Sequence, residues 1–215
     1  VMARPDPLEL PHYDMVSSLF TLDTGTATAR HAKGKAGTDS QVRDPIWIAE
    51  FLTNSMEKVA RKSFSARLAK LRFPGQTFLA WDASQRHPLN YPDGVPQILA
   101  STWDGTATIL SLATPGQINV GGIPPGFVLL EGDKVGIVEG GIYGLFQVDA
   151  DCVANGSGNQ AIKVLPLVDT RLFSSSGTAV LYRPKAKFSL DKSSVSEDGS
   201  YLDTPISFTG YQVLV

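Results

Sequence analysis

From Pro115 onward the chain alternates short apolar runs with breaks of Gly, Asn, Asp and Ser, and this spacing restricts its fold more than any other feature. The runs fall at 127–130, 134–138, 143–148, 161–164 and 178–182. The breaks are Glu131-Gly132-Asp133, Gly140-Gly141, Asn155-Gly156-Ser157-Gly158 and the stretch 174–177. Glycine adopts positive φ without a Cβ clash, and Asn, Asp and Ser bond their own backbone, so each break can reverse the chain. Runs this short, with turns about every 8–12 residues, predict strands of a small barrel or sandwich. Further strands are expected at 186–190 and 206–215, separated by the acidic loop 191–203.

Upstream the texture differs. Residues 17–29 predict a strand entering a hairpin, and the apolar, β-branched stretch 45–53 a second strand. Between them, 30–44 has almost no large apolar side chain and is read as a long exposed hairpin loop. Residues 55–72 change period. Met56, Ala60, Phe64, Leu68 and Leu71 recur at spacings of four and three, with Lys58, Arg61, Lys62, Arg67 and Lys70 between them. That pattern predicts one long amphipathic helix with a basic outer face, ended by Pro74-Gly75, and it is the only convincing helix in the sequence. Residues 77–82 predict a strand and 83–97 a loop; Asp104-Gly105, between two alternating runs, predicts a hairpin.

The chain has 215 residues, 42% of them hydrophobic and 19% charged, which excludes a disordered chain and supplies enough apolar surface for a core. No apolar stretch approaches the ~18 residues of a membrane span, and residues 1–11 lack the apolar core of a signal peptide, so a soluble product of a reducing compartment is expected. The net charge of −2 gives no global attraction to nucleic acid, but it is unevenly placed. Residues 30–72 carry ten basic and four acidic side chains, leaving this stretch strongly positive and the remainder negative. Such an asymmetry suits contact between copies or with neighbours. Arg30, Lys33, Lys35, Arg43, Arg61, Lys62, Arg67 and Lys70 are therefore the candidate assembly residues, with a solvated helix face and a basic loop as the plain alternative.

No nucleophile elbow, zinc-protease helix, P-loop or dinucleotide fingerprint is present, and no catalytic residue, cofactor or metal is expected. Cys152, the one cysteine, follows Asp149 and Asp151, whose charges raise a thiol pKa, so it is a packing residue rather than a nucleophile. His12, His31 and His87 lie far apart and form no ligand pair. Asp149, Asp151, Asn155 and Asn159 have some oxygens at alternating positions but lack the closing Glu of a calcium loop, so an Asx turn is expected. Glu131-Gly132-Asp133 reads as a turn capped by its Asp. Trp47, Trp81, Trp103, Tyr91 and Tyr143 are the residues from which a sugar platform would be built. Trp47 and Trp81 fall in apolar strands and are expected in the core, while Tyr91 is the better exposed contact. Arg61, Lys62, Lys70 and Arg72 could meet DNA, but without interleaved aromatics no specific nucleic-acid role is expected.

The order of features from Gly126 to Leu190 resembles the β-barrel part of baseplate, or distal-tail, proteins of long-tailed bacteriophages and prophages. It comprises Gly132-Asp133 after two Leu, a Tyr143 strand ending in Val148-Asp149, and a Gly-rich turn. A strand closing on Leu165-Pro166-Leu167, a Ser-Gly turn and Arg183-Pro184 before Phe188-Ser189-Leu190 complete it. Upstream, the Phe20-Thr21-Leu22 strand, the long loop, the Pro45-Ile46-Trp47 strand, the Ala/Arg/Leu helix and Thr77-Phe78 are similar to the tail-tube-like half of such proteins. The resemblance implies a mainly β (α+β) fold with one long helix: a tail-tube-like split β-barrel plus a second small β-barrel or sandwich. It implies an arm at 1–16, a tube-like domain at 17–114, a barrel at 115–190, and an acidic loop and returning C-terminal strand at 191–215. It further implies a non-enzymatic structural subunit of the virion tail, assembled in the host cytoplasm. In that family, sheets join edge to edge in a ring, a hexamer by resemblance although some baseplate rings are trimers. The loop 30–44 matches the hairpin that reaches the adjacent ring or subunit. The implied partners are a second copy, the tail tube protein, hub and other tail-tip proteins and the tape measure protein, with no membrane. A carbohydrate-binding module of the particle and a cell-wall hydrolase are the alternatives.

Overall fold

A computed structural model describes residues 7–10, 15–29, 38–196 and 205–214. In its first part the chain forms β1 (Leu8–Glu9), β2 (Met15–Asp23), β3 (Thr26–Ala29), β4 (Thr38–Gln41), β5 (Ile46–Thr53), α1 (Lys58–Leu71), β6 (Phe78–Ala80) and α2 (Pro96–Leu99). There follow β7 (Thr106–Ser111), β8 (Gln117–Gly121), β9 (Val128–Leu129), β10 (Lys134–Glu139), β11 (Ile142–Val148), β12 (Cys152–Val153), β13 (Gln160–Leu165) and β14 (Thr178–Val180). The last strands are β15 (Ala186–Leu190) and β16 (Ser207–Gln212). The fold is mainly β: an open six-stranded sheet, a closed six-stranded barrel and two short ribbons.

The open sheet runs β1-β6-β15-β16-β5-β2, with β1 parallel to β6 and every other neighbour antiparallel. Alternation along its strands puts Phe20, Trp47, Ala49, Phe51, Phe78, Phe188 and Phe208 on one buried face. Helix α1 covers that face with Phe64, Leu68 and Leu71. The rings interlock: Phe51 stacks on Phe208 at 5.0 Å, Phe78 on Phe188 at 5.7 Å, and Phe20 meets Phe51 edge-on at 5.8 Å. Burying a Phe side chain contributes roughly 1.5–3 kcal/mol, so this cluster is the main support of the sheet. Gly210 makes room for it, since a Cβ there would lie 2.8 Å from Phe78 Cζ.

The barrel closes in the order β10-β11-β13-β8-β7-β14. Its strands keep a period of two: on β13, Gln160, Ile162 and Val164 are buried while Ala161, Lys163 and Leu165 are exposed. A barrel this narrow is filled by its own side chains, among them Ile109, Ile118, Val120, Ile137 and Val148. Strand β11 serves both cores. Phe146 and Val148 belong to the barrel core, and Leu145, on the opposite face, belongs to the sheet core.

Several expectations are corrected. The one long helix expected over 55–72 is not found: among the described residues there are two short helices, α1 of 14 residues within that stretch and α2 of 4 residues outside it. Residues 54–57 stay non-helical, with Met56 buried against the sheet and Glu57 giving no side-chain cap. Ala60, expected on the apolar stripe, is exposed. The second helix begins at Pro96, whose fixed φ suits a first helical turn, within and beyond what was read as a loop. Asp104-Gly105 does not close a hairpin; it joins the turn after α2 to β7, with Gly105 at φ +84. The strand partition also departs from the expected boundaries. Strand β7 pairs with β8 and β14 in the barrel, which therefore starts before residue 115, and β15 pairs with β6 and β16 in the open sheet, so it does not belong to the barrel. The arm contributes β1 and the start of β2 to the sheet. Of the loop expected at 30–44, residues 38–41 are strand β4, and 30–37 lie outside the described residues.

Candidate functional sites: the open edge and the sheet–barrel joint

Among the described residues β2 pairs only with β5, so one side of a nine-residue strand is an open edge. Beyond it the chain continues as the β3–β4 ribbon, with Thr26 opposite Gln41 and Ala29 opposite Thr38. The base of the ribbon is pinched at Gly25, whose carbonyl accepts the Val42 and Arg43 N–H groups at 2.9 and 3.3 Å. A Cβ at Gly25 would lie 2.4 Å from the Arg43 carbonyl oxygen, and its φ is +65, so only glycine fits. The Asp23 carboxylate accepts the Gly25 N–H at 2.9 Å and pairs with Arg43. On the sheet face away from α1, three rows cross β2, β5 and β16: Ser17–Leu52–Ser207, Leu19–Glu50–Thr209 and Thr21–Ile48–Tyr211. Leu19 is 60% exposed there, so this face is not purely polar.

The candidate assembly residues that are described lie at the base of the ribbon and on α1. Arg30, Lys33 and Lys35 lie outside the described residues. Arg43 sits at the base of the ribbon, paired with Asp23 of its own chain. On α1, Arg67 donates to the Glu9 carbonyl at 3.3 Å, and Arg61 is half-buried. Lys62 and Lys70 project into solvent. Val195, in the acidic loop, lines one surface hollow together with Ser65, Ala66, Ala69 and Arg72 of α1 and its C-terminal end.

The joint between sheet and barrel holds the densest polar network. The Lys134 ammonium, at the start of β10, lies 2.9 Å from Asp82 Oδ2, with both side chains nearly buried. Asp82 Oδ1 also accepts the Ser18 and Ser84 hydroxyls at 2.7 and 2.6 Å. Burial pushes the Asp82 carboxyl up, but Ser84, Lys134 and Ser18 outweigh it and hold it below the usual range. Asp133, 1% exposed, caps its own turn by accepting the Leu130 N–H at 2.8 Å. Its other oxygen accepts the Leu89 N–H and Gln85 Nε2 at 2.8 and 2.7 Å, tying loop 83–97 to the barrel. Here burial outweighs the hydrogen bonds and the carboxyl stays above its ordinary value. Arg183, at φ +50, lays its guanidinium over Trp81 and Tyr182 at 5.1 and 4.9 Å and donates to the Arg86 carbonyl. The cavity these residues enclose is about 20 Å³, room for about one water.

The groups weighed for chemistry are placed elsewhere. Burial, with Asp133 and Asp151 nearby, pushes the Cys152 thiol up to about 11, so little thiolate exists at neutral pH. His87 Nδ1 is 3.0 Å from the Tyr182 hydroxyl, and burial with Arg183 and Arg86 lowers its pKa. His12 and His31 lie outside the described residues. Asn155 Oδ1 accepts the Ser157 and Asn159 N–H groups, which makes the Asx turn, and no cluster that could hold a metal occurs among the described residues. No described helix is long and apolar enough to cross a membrane. Tyr91 is no exposed contact: its ring stacks on Phe127 at 5.3 Å and its hydroxyl accepts the Val128 N–H. Trp47 and Trp81 are buried. Sequence reasoning found the Asp133 cap but missed Asp82 and Lys134 as partners; a lone Lys heading an apolar strand was the available signal.

Comparison with protein-family models finds no match to this chain, and no curated protein matches it significantly.

Proposed function

We propose that this protein is a structural subunit of a phage tail tip or baseplate, forming a ring that continues the tail tube and carries tip or receptor-binding proteins. The observation that carries the reading is the nine-residue open edge of β2, prolonged by the β3–β4 ribbon. An unpaired strand of that length is a template for another chain, and a two-stranded ribbon is marginal by itself in water. Pairing of β2 with an edge of the next copy would satisfy its free N–H and C=O groups, and rotation would close the ring. The helix-covered sheet is the tail-tube-like half in this reading, and the barrel is the platform for tip proteins. Of the candidate assembly residues that are described, Lys62 and Lys70 project into solvent, where a neighbour could reach them.

The test is the mass of the full chain by sedimentation and native mass spectrometry, together with imaging of particles assembled with a deletion of residues 32–42. Ring-sized species, and particles arrested or misassembled by the deletion, are expected. A chain monomeric at high concentration, with the deletion leaving assembly intact, overturns the proposal.

A further inference from the structure

One side of the barrel carries a trough of about 490 Å³, lined by Trp103, Asp104, Thr106, Thr108, Ser175, Ser176, Thr178 and the glycines 121, 122 and 177. The register explains its floor. Thr178 stands opposite Thr108, and Thr108 opposite Gly121, so two hydroxyls and a missing side chain form one row across β14, β7 and β8. Thr108 and Thr178 are exposed, and neither hydroxyl is engaged by any described residue. At one end stands the half-buried Trp103, fixed by its Nε1 bond to the Thr106 carbonyl at 2.7 Å and by its edge contact with Phe127 at 5.0 Å.

The carboxylate beside it is also set in place. Asp104 Oδ1 accepts the Thr106 N–H and hydroxyl at 2.9 and 2.7 Å, which leaves Oδ2 without a partner among the described residues. The opposite wall, the turn 174–177, is pinned because Glu139 accepts both the Ser174 N–H and its hydroxyl. Both walls are thus held before any ligand arrives, which lowers the entropic cost of binding. The lining contains no basic side chain.

We propose that this trough binds a neutral saccharide. A sugar presents apolar C–H faces and vicinal hydroxyls that both donate and accept. An indole, free Thr and Ser hydroxyls and one open carboxylate oxygen offer the complementary groups. The uncompensated Asp104 charge disfavours uronic acids and other anionic sugars. The trough lies on the barrel, apart from the β2 edge, so the proposal does not depend on the ring reading.

The experiment is titration of the full chain with maltotriose, cellotriose and triacetylchitotriose, followed by calorimetry and tryptophan emission. Trp47 and Trp81 are 1% and 8% exposed, so Trp103 is the accessible reporter. At least one of the three is expected to bind saturably, with tri-galacturonate weaker by about tenfold or more. Thr108→Val and Thr178→Val keep a β-branched exposed side chain and remove only the hydroxyl. Each is expected to weaken binding about tenfold, the equivalent of one hydrogen bond, with an unchanged unfolding midpoint. Asp104→Asn retains an acceptor for Thr106 and is expected to narrow the gap between neutral and acidic sugars. No saturable response to any of the three, equal binding of tri-galacturonate, or full affinity in the Thr108→Val/Thr178→Val double variant overturns the proposal. The mass of the assembled species, read on the same samples, separates this outcome from failure of the ring reading.

Discussion

The indole Nε1 of Trp47 donates a 2.7 Å hydrogen bond to the backbone carbonyl of Leu145, so β5 of the sheet holds β11 of the barrel. Both residues are buried, Leu145 in the sheet core although it belongs to a barrel strand. Lys134 lies over the Trp47 ring at 5.7 Å and reaches on to Asp82, so one indole organises both the apolar and the charged parts of the joint.

Trp47→Phe keeps an aromatic ring but removes the donor and leaves a gap against β11. The expected cost is about 2–3 kcal/mol of unfolding free energy, measured by urea denaturation. Stability equal to that of the parent would contradict the role given to this contact.

Lys134→Met leaves the Asp82 carboxylate, 9% exposed, without its counter-charge. Removing one partner of a buried pair costs about 3–5 kcal/mol, chiefly through the charge left behind. The double variant Asp82→Asn/Lys134→Met is expected to regain more than half of that loss. A double-mutant cycle in which the two losses simply add would show that the pair is not coupled.

The two joint carboxylates act oppositely on the pH dependence of stability. Asp82 has a folded pKa below its unfolded value, so it stabilises above the ordinary aspartate range and that contribution is lost as pH falls through the lowered value. Asp133 has a raised folded pKa; its contribution is present below the ordinary range and lost as pH rises through the raised value. Unfolding free energy followed from neutral pH to about pH 3 should therefore fall less steeply in Asp82→Asn than in the parent. Asp133→Asn should fall more steeply towards acid and be less stable throughout, because an amide NH₂ would face one of the three donors that the carboxylate now accepts. An unchanged acid limb in both variants would disprove the assignment.

Gly105 and Gly75 separate backbone strain from collision. Both have positive φ, +84 and +77, but a Cβ at Gly105 would lie 2.5 Å from Tyr182 Cβ whereas one at Gly75 meets nothing within 4 Å. Gly75→Ala is expected to cost about 1 kcal/mol, and Gly105→Ala clearly more, because the turn must move off Tyr182. Thermal unfolding of the two variants side by side measures the difference.

Much of the fold was legible in local sequence. The Gly, Asn and Asp breaks after Pro115 marked real turns, because turn chemistry acts over a few residues. Helix boundaries were less legible. Met56 fits a helical period, yet it is buried outside the helix, where packing on the sheet overrides the pattern. Of the assembly candidates read from charge alone, Arg43 and Arg67 are engaged within the chain, which charge counting along a sequence does not reveal.

What the sequence by itself determined is the mainly β character, the positions of most turns and the absence of a recognisable catalytic motif. Only the tertiary structure decided which strands pair. It sent β7 to the barrel and β15 to the sheet, left β2 as an open edge among the described residues, brought Asp82 to Lys134, and aligned Thr178, Thr108 and Gly121 in one row. The reason is physical: a strand's period fixes which face it buries, but its partners are chosen by contacts between residues far apart in the chain.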